Sequence, residues 1–289
     1  MKCVCRGARQ DYLGTFQFQQ QRMGFLYGTF EEDGGVVVHA IYEPPQNCTA
    51  ESFELLDDPR ADQVERLATM LNLKRVGWIY FHPPREEGFF CSGDEIIFAA
   101  MEQLESAQGV EKTPFVTMRC TVQASEEQAA GYENVTDALQ VSVQCMEMVA
   151  EGALEPDPTR RDYCAVNPTF TAIMEGKEAK AVQNSFFLKT VAIKPLETPK
   201  LQCQFPQANR MTGQTRDELK DVISSVQGGN LSKSLADFHL LLFLMDFQDM
   251  FNWETDMPRI AGAVLDEATP LDEGYEMILK GFAGIDMGF

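Results

Sequence analysis

Histidine, tryptophan and positive charge are scarce in this chain. Three His and two Trp stand among 289 residues, and 24 Lys and Arg face 44 Asp and Glu, a formal net charge of −20. That balance argues against nucleic acid as a partner, because affinity for a phosphate backbone comes mainly from Lys and Arg. No stretch approaches the roughly eighteen apolar residues of a membrane helix; the longest candidate, Leu240 to Met245, is far shorter, so no membrane insertion is expected. The opening residues, Met1-Lys2-Cys3-Val4-Cys5-Arg6-Gly7, contain no apolar segment of a secretory signal. GxGxxG, the GxxxxGK phosphate loop and HExxH are all missing, which weakens dinucleotide, NTP-hydrolysing and zincin readings. A structural zinc site needs two knuckles of paired ligands, and Cys3-Val4-Cys5 is too tightly spaced and has no second pair.

What is present is an ordinary globular composition, 44 % hydrophobic and 24 % charged, long enough for one large domain or two of usual size. Eight scattered cysteines, several inside apolar runs, suit reduced and buried thiols. His39 and His239 sit in apolar runs and read as core histidines rather than metal ligands.

Residues 24–30 and 36–42 are β-branched or aromatic runs separated by a turn containing Asp33-Gly34-Gly35, which predicts a hairpin ended by Pro44-Pro45. Asp58-Pro59 supplies the N-cap and first-turn residues of a helix whose apolar face is Val64, Leu67, Ala68 and Leu71. A strand over 75–81 follows. Ser92-Gly93-Asp94-Glu95 then has the form of a capping box, opening a helix to about 106 with Ile97, Met101 and Leu104 on its apolar face. Phe115 to Val122 reads as a strand, Ala138, Val141, Cys145 and Val149 as a helical stripe, and 169–174 and 186–193 as strands. Past Pro195, Pro199 and Pro206, helices are expected at about 215–227, 232–251, 258–267 and 272–282, with Leu235 to Phe251 as a buried central helix. The alternation of strand and helix in the first two-thirds points to the α/β class.

Five strings then resemble the nuclear protein localization protein 4 family, in its plant-type form. They are Gly24-Phe25-Leu26-Tyr27-Gly28, Ile41-Tyr42-Glu43-Pro44-Pro45-Gln46, Lys74-Arg75-Val76-Gly77-Trp78-Ile79, Ser142-Val143-Gln144-Cys145-Met146 and Ser234-Leu235-Ala236-Asp237-Phe238-His239-Leu240-Leu241-Leu242-Phe243. They occur in the family's order and cover about residues 20 to 282. The resemblance implies an MPN-type mixed sheet flanked by helices and followed by a helical C-terminal domain. The expected division is an unmatched segment 1–19, an MPN-like core 20–155, a β-rich extension 156–207 and the helical domain 208–289. It also implies a substrate-recruiting cofactor of the valosin-containing AAA ATPase, acting with the ubiquitin fusion degradation protein partner on polyubiquitinated clients. The setting would be the cytoplasm and nucleus and the periphery of the endoplasmic reticulum. The ubiquitin-like and zinc-finger parts usual at the family's N-terminus have no match in these residues.

Active MPN relatives are zinc isopeptidases. In them a glutamate lies three residues before a Gly-rich first strand, and H-x-H-P, a spacer and S-x-x-D follow, so that two imidazoles and a carboxylate hold zinc while the glutamate takes a proton from its water. The glutamate position falls here on Gln21, the first imidazole on Tyr80, the second on His82, and the serine and aspartate on Ser92 and Glu95. Eight residues separate Pro83 from Ser92, two more than in the pattern. The resemblance therefore implies a pseudoenzyme, with Glu95 as a helix cap and His82, ahead of Pro83-Pro84, as a loop histidine. Neither a metal nor a cofactor is expected. Phe89, Phe90 and Trp253, large apolar residues in connecting segments, are the candidate contacts for ubiquitin or another partner. Two alternatives stay open: a residual zinc metallo-isopeptidase using His82 and Glu95, and a structural MPN scaffold subunit.

Overall fold

The turn between residues 30 and 36 sets the first part of the architecture. In the computed structural model, which describes residues 1–3, 18–124, 132–174, 176–211, 213–225, 231–266 and 271–285, a short strand β1 (Lys2–Cys3) precedes the hairpin of β2 (Arg22–Phe30) and β3 (Val36–Tyr42). Gly34 takes a φ of 80° in the turn, a conformation other L-residues resist. The ladder slips at Tyr27/Gly28, a bulge where a Cβ on Gly28 would lie 1.8 Å from the Val37 carbonyl oxygen. A two-stranded flap, β4 (Gln46–Cys48) with β5 (Phe53–Leu55), leads to helix α1 (Ala61–Met70) and strand β6 (Lys74–Phe81).

Helix α2 (Gly93–Ala107) then crosses over to β7 (Val116–Ala124), which runs parallel to β6 and pairs antiparallel with β8 (Tyr132–Val141). Helix α3 (Val143–Ala150) follows. Next come short strands β9 (Leu154–Pro156), β10 (Tyr163–Val166), β11 (Ala172–Met174), β12 (Lys177–Ala179), β13 (Ala181–Gln183), β14 (Leu188–Val191) and β15 (Lys194–Pro195). Among the described residues the main sheet has eight strands in the order β14-β8-β7-β6-β2-β3-β1-β15. The remaining helices are α4 (Arg216–Ser224), α5 (Leu231–Ser234), α6 (Phe238–Met245), α7 (Met257–Leu265) and α8 (Glu273–Phe282).

Trp78 and Tyr80 point to one side of the sheet, against Ile96, Ala99 and Ala100 of α2 and Cys145 of α3; Val76 and Ile79 belong to a separate cluster with Leu26, Val38 and Val116. The largest cluster joins Tyr27, Ala40 and Tyr42 of the hairpin to Leu67 and Leu71 at α1 and to the C-terminal helices. All eight residues of α6 are buried at its centre, and each Leu or Phe there contributes about 1.5–3 kcal/mol by leaving water. Five interacting aromatic rings in this region, Phe205, Phe243, Phe247, Phe251 and Phe282, meet at tilted or edge-on angles. No helix among the described residues is long and apolar enough to cross a membrane.

Several local expectations are corrected. Asp58 does not cap α1; its carboxylate receives the Arg60 N–H and the Tyr42 hydroxyl, and the helix starts at Ala61. On α2 the buried face is Ile96, Ala99, Ala100 and Gln103, while Met101 is 55 % exposed. Ala138 and Val141 are strand residues, because the ladder of β8 with β14 continues to Val141 and Ser142 then caps α3. The single helix expected over 232–251 breaks at Leu235-Ala236-Asp237. Asp237 turns away to cap α6, accepting the N–H groups of His239 and Leu240, and also holds those of Gln204 and Phe205.

Candidate functional site

The five isopeptidase positions converge where β6 ends and α2 begins. Gln21 lies at the entry to β2, fixed by its backbone bond to the Thr49 carbonyl; Tyr80 is the penultimate residue of β6 and His82 follows the strand's last residue. Ser92 caps α2, its hydroxyl accepting from the Glu95 N–H while the Glu95 carboxylate accepts from the Ser92 N–H, so the capping box forms as read. Gly93 has no side chain because Pro156 approaches it closely; a Cβ there would stand 2.7 Å from the Pro156 Cα.

Glu95 does more than cap. Arg85, from the spacer between Pro83 and Ser92, forks onto it: Nη1 donates to Oε2 at 2.9 Å and Nη2 to Oε1. The Gln21 amide nitrogen also reaches Glu95 Oε1, at 3.4 Å, whereas Gln21 Oε1 is buried without a hydrogen-bond partner in the protein. Arg85 additionally reaches the Phe90 carbonyl at 3.4 Å, and its guanidinium lies 4.5 Å from the Phe89 ring centre. Burial alone would loosen the proton of Arg85, but the bonds from Glu95 raise its pKa above the usual arginine value.

A second arginine occupies the imidazole. Arg119 of β7 donates from Nε to His82 Nε2 at 3.0 Å and from Nη1 to Asp137 at 2.5 Å, and stacks 4.0 Å from the Phe90 ring centre. With Nε2 accepting, His82 Nδ1 carries the proton and donates to the Pro83 carbonyl at 2.7 Å. Burial first, and the positive charge of Arg85 next, push the His82 pKa down to about 4. His82 thus lies in the connecting segment just past the strand end and is buried there. Burial also holds the Tyr80 phenol well above its usual pKa, so it is a neutral hydroxyl at any physiological pH.

These donors do not fit a catalytic zinc. Gln21 cannot take a proton from water, and Tyr80 keeps its own. The free nitrogen of His82 is engaged by Arg119, and both oxygens of Glu95 are engaged by Arg85. Among the described residues no group of three or more His, Cys, Asp or Glu could hold a metal ion. Cys91, Cys145 and Cys164 are buried thiols near the site, and burial raises the pKa of each, that of Cys164 to about 12. They are poor nucleophiles.

The 83–91 segment walls off two clefts. One, of about 550 Å³, lies between this segment and the Pro156–Arg161 turn, with Arg85, Phe89, Ser92, Asp157 and Arg161 on its lining. The other, about 450 Å³, lies on the far side against β7, lined by His82, Phe89, Phe90, Arg119 and Thr121. Phe89 and Phe90 are half-buried and tied to the site by the two arginines. Trp253 is elsewhere, packed on the helical cluster with its indole N–H donating to the Met245 carbonyl at 2.7 Å. Arg85 and Arg119 escaped the sequence reading; the signal for Arg85 was the lengthened spacer that carries it between the site positions and Phe89-Phe90.

The NPL4 family model matches residues 22–191. Among curated relatives, the Nuclear protein localization protein 4 homolog of Dictyostelium discoideum is 35 % identical over 277 residues, covering 94 % of this chain and 45 % of the relative. NPL4-like protein 1 of Arabidopsis thaliana is 31 % identical over 285 residues, 96 % of this chain and 66 % of the relative. The Nuclear protein localization protein 4 homolog of Homo sapiens is 28 % identical over 283 residues, 78 % of this chain and 44 % of the relative. The chain thus spans from 44 % to 66 % of the length of these three.

Proposed function

The chain belongs to the NPL4 family, and from that premise we propose that it is a non-catalytic ubiquitin-binding adaptor. In this role it helps deliver polyubiquitinated proteins to the valosin-containing AAA ATPase, together with the ubiquitin fusion degradation protein partner, for unfolding and proteasomal degradation. Its place of action is the cytoplasm and nucleus, including the endoplasmic reticulum surface during ER-associated degradation. The observation that carries the non-catalytic half is the state of four of the converged positions: an amide where a base is required, a buried phenol and an arginine-bound imidazole where zinc ligands are required, and a carboxylate neutralised by Arg85. The binding half is supported by the acidic surface, which steers toward the basic surroundings of ubiquitin's apolar patch, and by Phe89 and Phe90 on the segment between two clefts.

Titration of the chain with polyubiquitin of defined linkage tests the adaptor role. Saturable binding without chain cleavage is expected, whereas no binding at high micromolar concentration removes it. A folded Phe89→Ser/Phe90→Ser variant is expected to bind at least about tenfold more weakly, the loss of roughly one well-packed aromatic contact. Unchanged binding dismisses the pair as contacts.

A further inference from the structure

The donors present do not accommodate the zinc of active MPN relatives, so something else must satisfy Glu95, which is 4 % exposed. A carboxylate that deep is stable only when paired and hydrogen-bonded. Three groups meet it: the Ser92 backbone N–H, the Gln21 amide and, by two bonds, the Arg85 guanidinium. Only the last carries charge. Arg85 belongs to the very segment that is two residues longer than the isopeptidase pattern, and the same guanidinium holds that segment's far end through the Phe90 carbonyl and the Phe89 ring.

We propose that Arg85 takes over the electrostatic task of the lost metal: its guanidinium is a built-in cation that neutralises Glu95 and staples the 83–91 segment across the former catalytic site. A metal ion would tie strand end to helix start by coordination. Here the same two elements are tied by a forked ion pair whose cation comes from the spacer itself. Arg85 is a positioning residue. Through it the wall shared by the two clefts, Pro84, Arg85, Glu86 and Phe89, is held in place without metal. The inference deepens the non-catalytic reading above and rests on it.

Hydrogen exchange of the full chain, read at the amides of residues 85–91 before and after dialysis against EDTA and alongside zinc analysis, tests it. In the wild type, EDTA is expected to leave exchange unchanged and zinc to be substoichiometric. Arg85→Gln, and equally Glu95→Gln, are expected to speed exchange of the segment by roughly tenfold, the loss of one charge-assisted hydrogen-bonded pair, while α1 and α6 exchange as before. Arg85→Lys is expected to give a smaller increase, because an ammonium cannot make two parallel bonds. Stoichiometric zinc, loosening by EDTA, or unchanged exchange in Arg85→Gln overturns the proposal. If Arg85→Gln does not fold, the lysine variant decides: faster exchange supports the staple and wild-type exchange refutes it. None of these readouts involves ubiquitin. Failure of polyubiquitin binding and failure of the staple are therefore seen separately.

Discussion

Replacing Glu43 with Gln should cost more stability than any change on the surface of this protein. Glu43 directly follows β3, is 1 % exposed, and faces two arginines from distant parts of the chain. Arg22 of β2 donates to Oε2 from Nη2 at 3.1 Å and from Nε at 3.3 Å, and Arg210, ahead of α4, donates to Oε1 at 2.7 Å. Both arginine side chains are nearly buried, 11 % and 7 % exposed. A glutamine retains one acceptor oxygen and turns an amide NH₂ toward one of the guanidiniums, removing the negative charge that both of them face here. Breaking a buried ion pair this way costs about 3–5 kcal/mol. At about 2–4 °C per kcal/mol for a domain of this size, Tm should fall by roughly 6–20 °C. Urea unfolding followed by tryptophan fluorescence measures the change at two places, since Trp78 lies in the sheet and Trp253 against the helices. Replacing all three partners together (Arg22→Met/Glu43→Leu/Arg210→Met) should recover most of the loss, because the two arginine charges are removed along with the carboxylate that faces them. A loss below about 1 kcal/mol for Glu43→Gln, or a triple variant as unstable as the single one, would refute the reasoning.

Acid should weaken the fold through His82. Its pKa is about 4 in the folded protein against 6.5 when unfolded, so the unfolded chain binds the proton first. Stability contributed by neutral His82 is complete above pH 6.5 and is lost as pH falls toward and through 4, by about 3 kcal/mol in all. Stability curves measured between pH 7.5 and 4 should be visibly flatter for His82→Gln; equal slopes would contradict the assignment. His239 is shifted in the same direction, again by burial first, and adds to the acid sensitivity. Asp237→Ala removes the acceptor of four backbone N–H groups at a buried position, and thermal unfolding should register a loss near 3 kcal/mol, well above the typical 1 kcal/mol of an ordinary helix cap. A loss of 1 kcal/mol or less would mean that the bonds to Gln204 and Phe205 contribute nothing.

Those features were legible in unequal measure before the structure. The hairpin and the capping box of α2 were readable because their signals are local: alternation, an Asp-Gly-Gly turn, and a serine three residues before a glutamate. Ala138 and Val141 fit a helical stripe as well as a strand of partly buried residues, and the ladder partners decide between them: Met118 of β7 and Val191 of β14 for Ala138, Leu188 of β14 for Val141. The break before α6 was hidden for a similar reason. Asp237 looks like an acidic residue within an apolar helix until the N–H groups of Gln204 and Phe205, more than thirty residues earlier, are brought to it. At the site, comparison of named positions revealed what Gln21 and Tyr80 could not do. It could not reveal what Arg85 and Arg119 do instead, since neither occupies a position of the pattern.

The sharing of one apolar cluster between the hairpin and the C-terminal helices has a bearing on how the chain is made. Tyr27 stacks on Phe238 with ring centres 5.6 Å apart, and His239 donates from Nε2 to the Ile41 carbonyl at 2.9 Å. Roughly 200 residues must be added after the hairpin emerges before these partners exist, about 10–40 s at ordinary rates of synthesis. Over that interval one side of the nascent sheet, with Tyr27, Tyr42 and the inner face of α1, has nothing of its own to rest on. A ribosome-bound chain stalled short of residue 238 is therefore the form of this protein with the greatest demand for a chaperone.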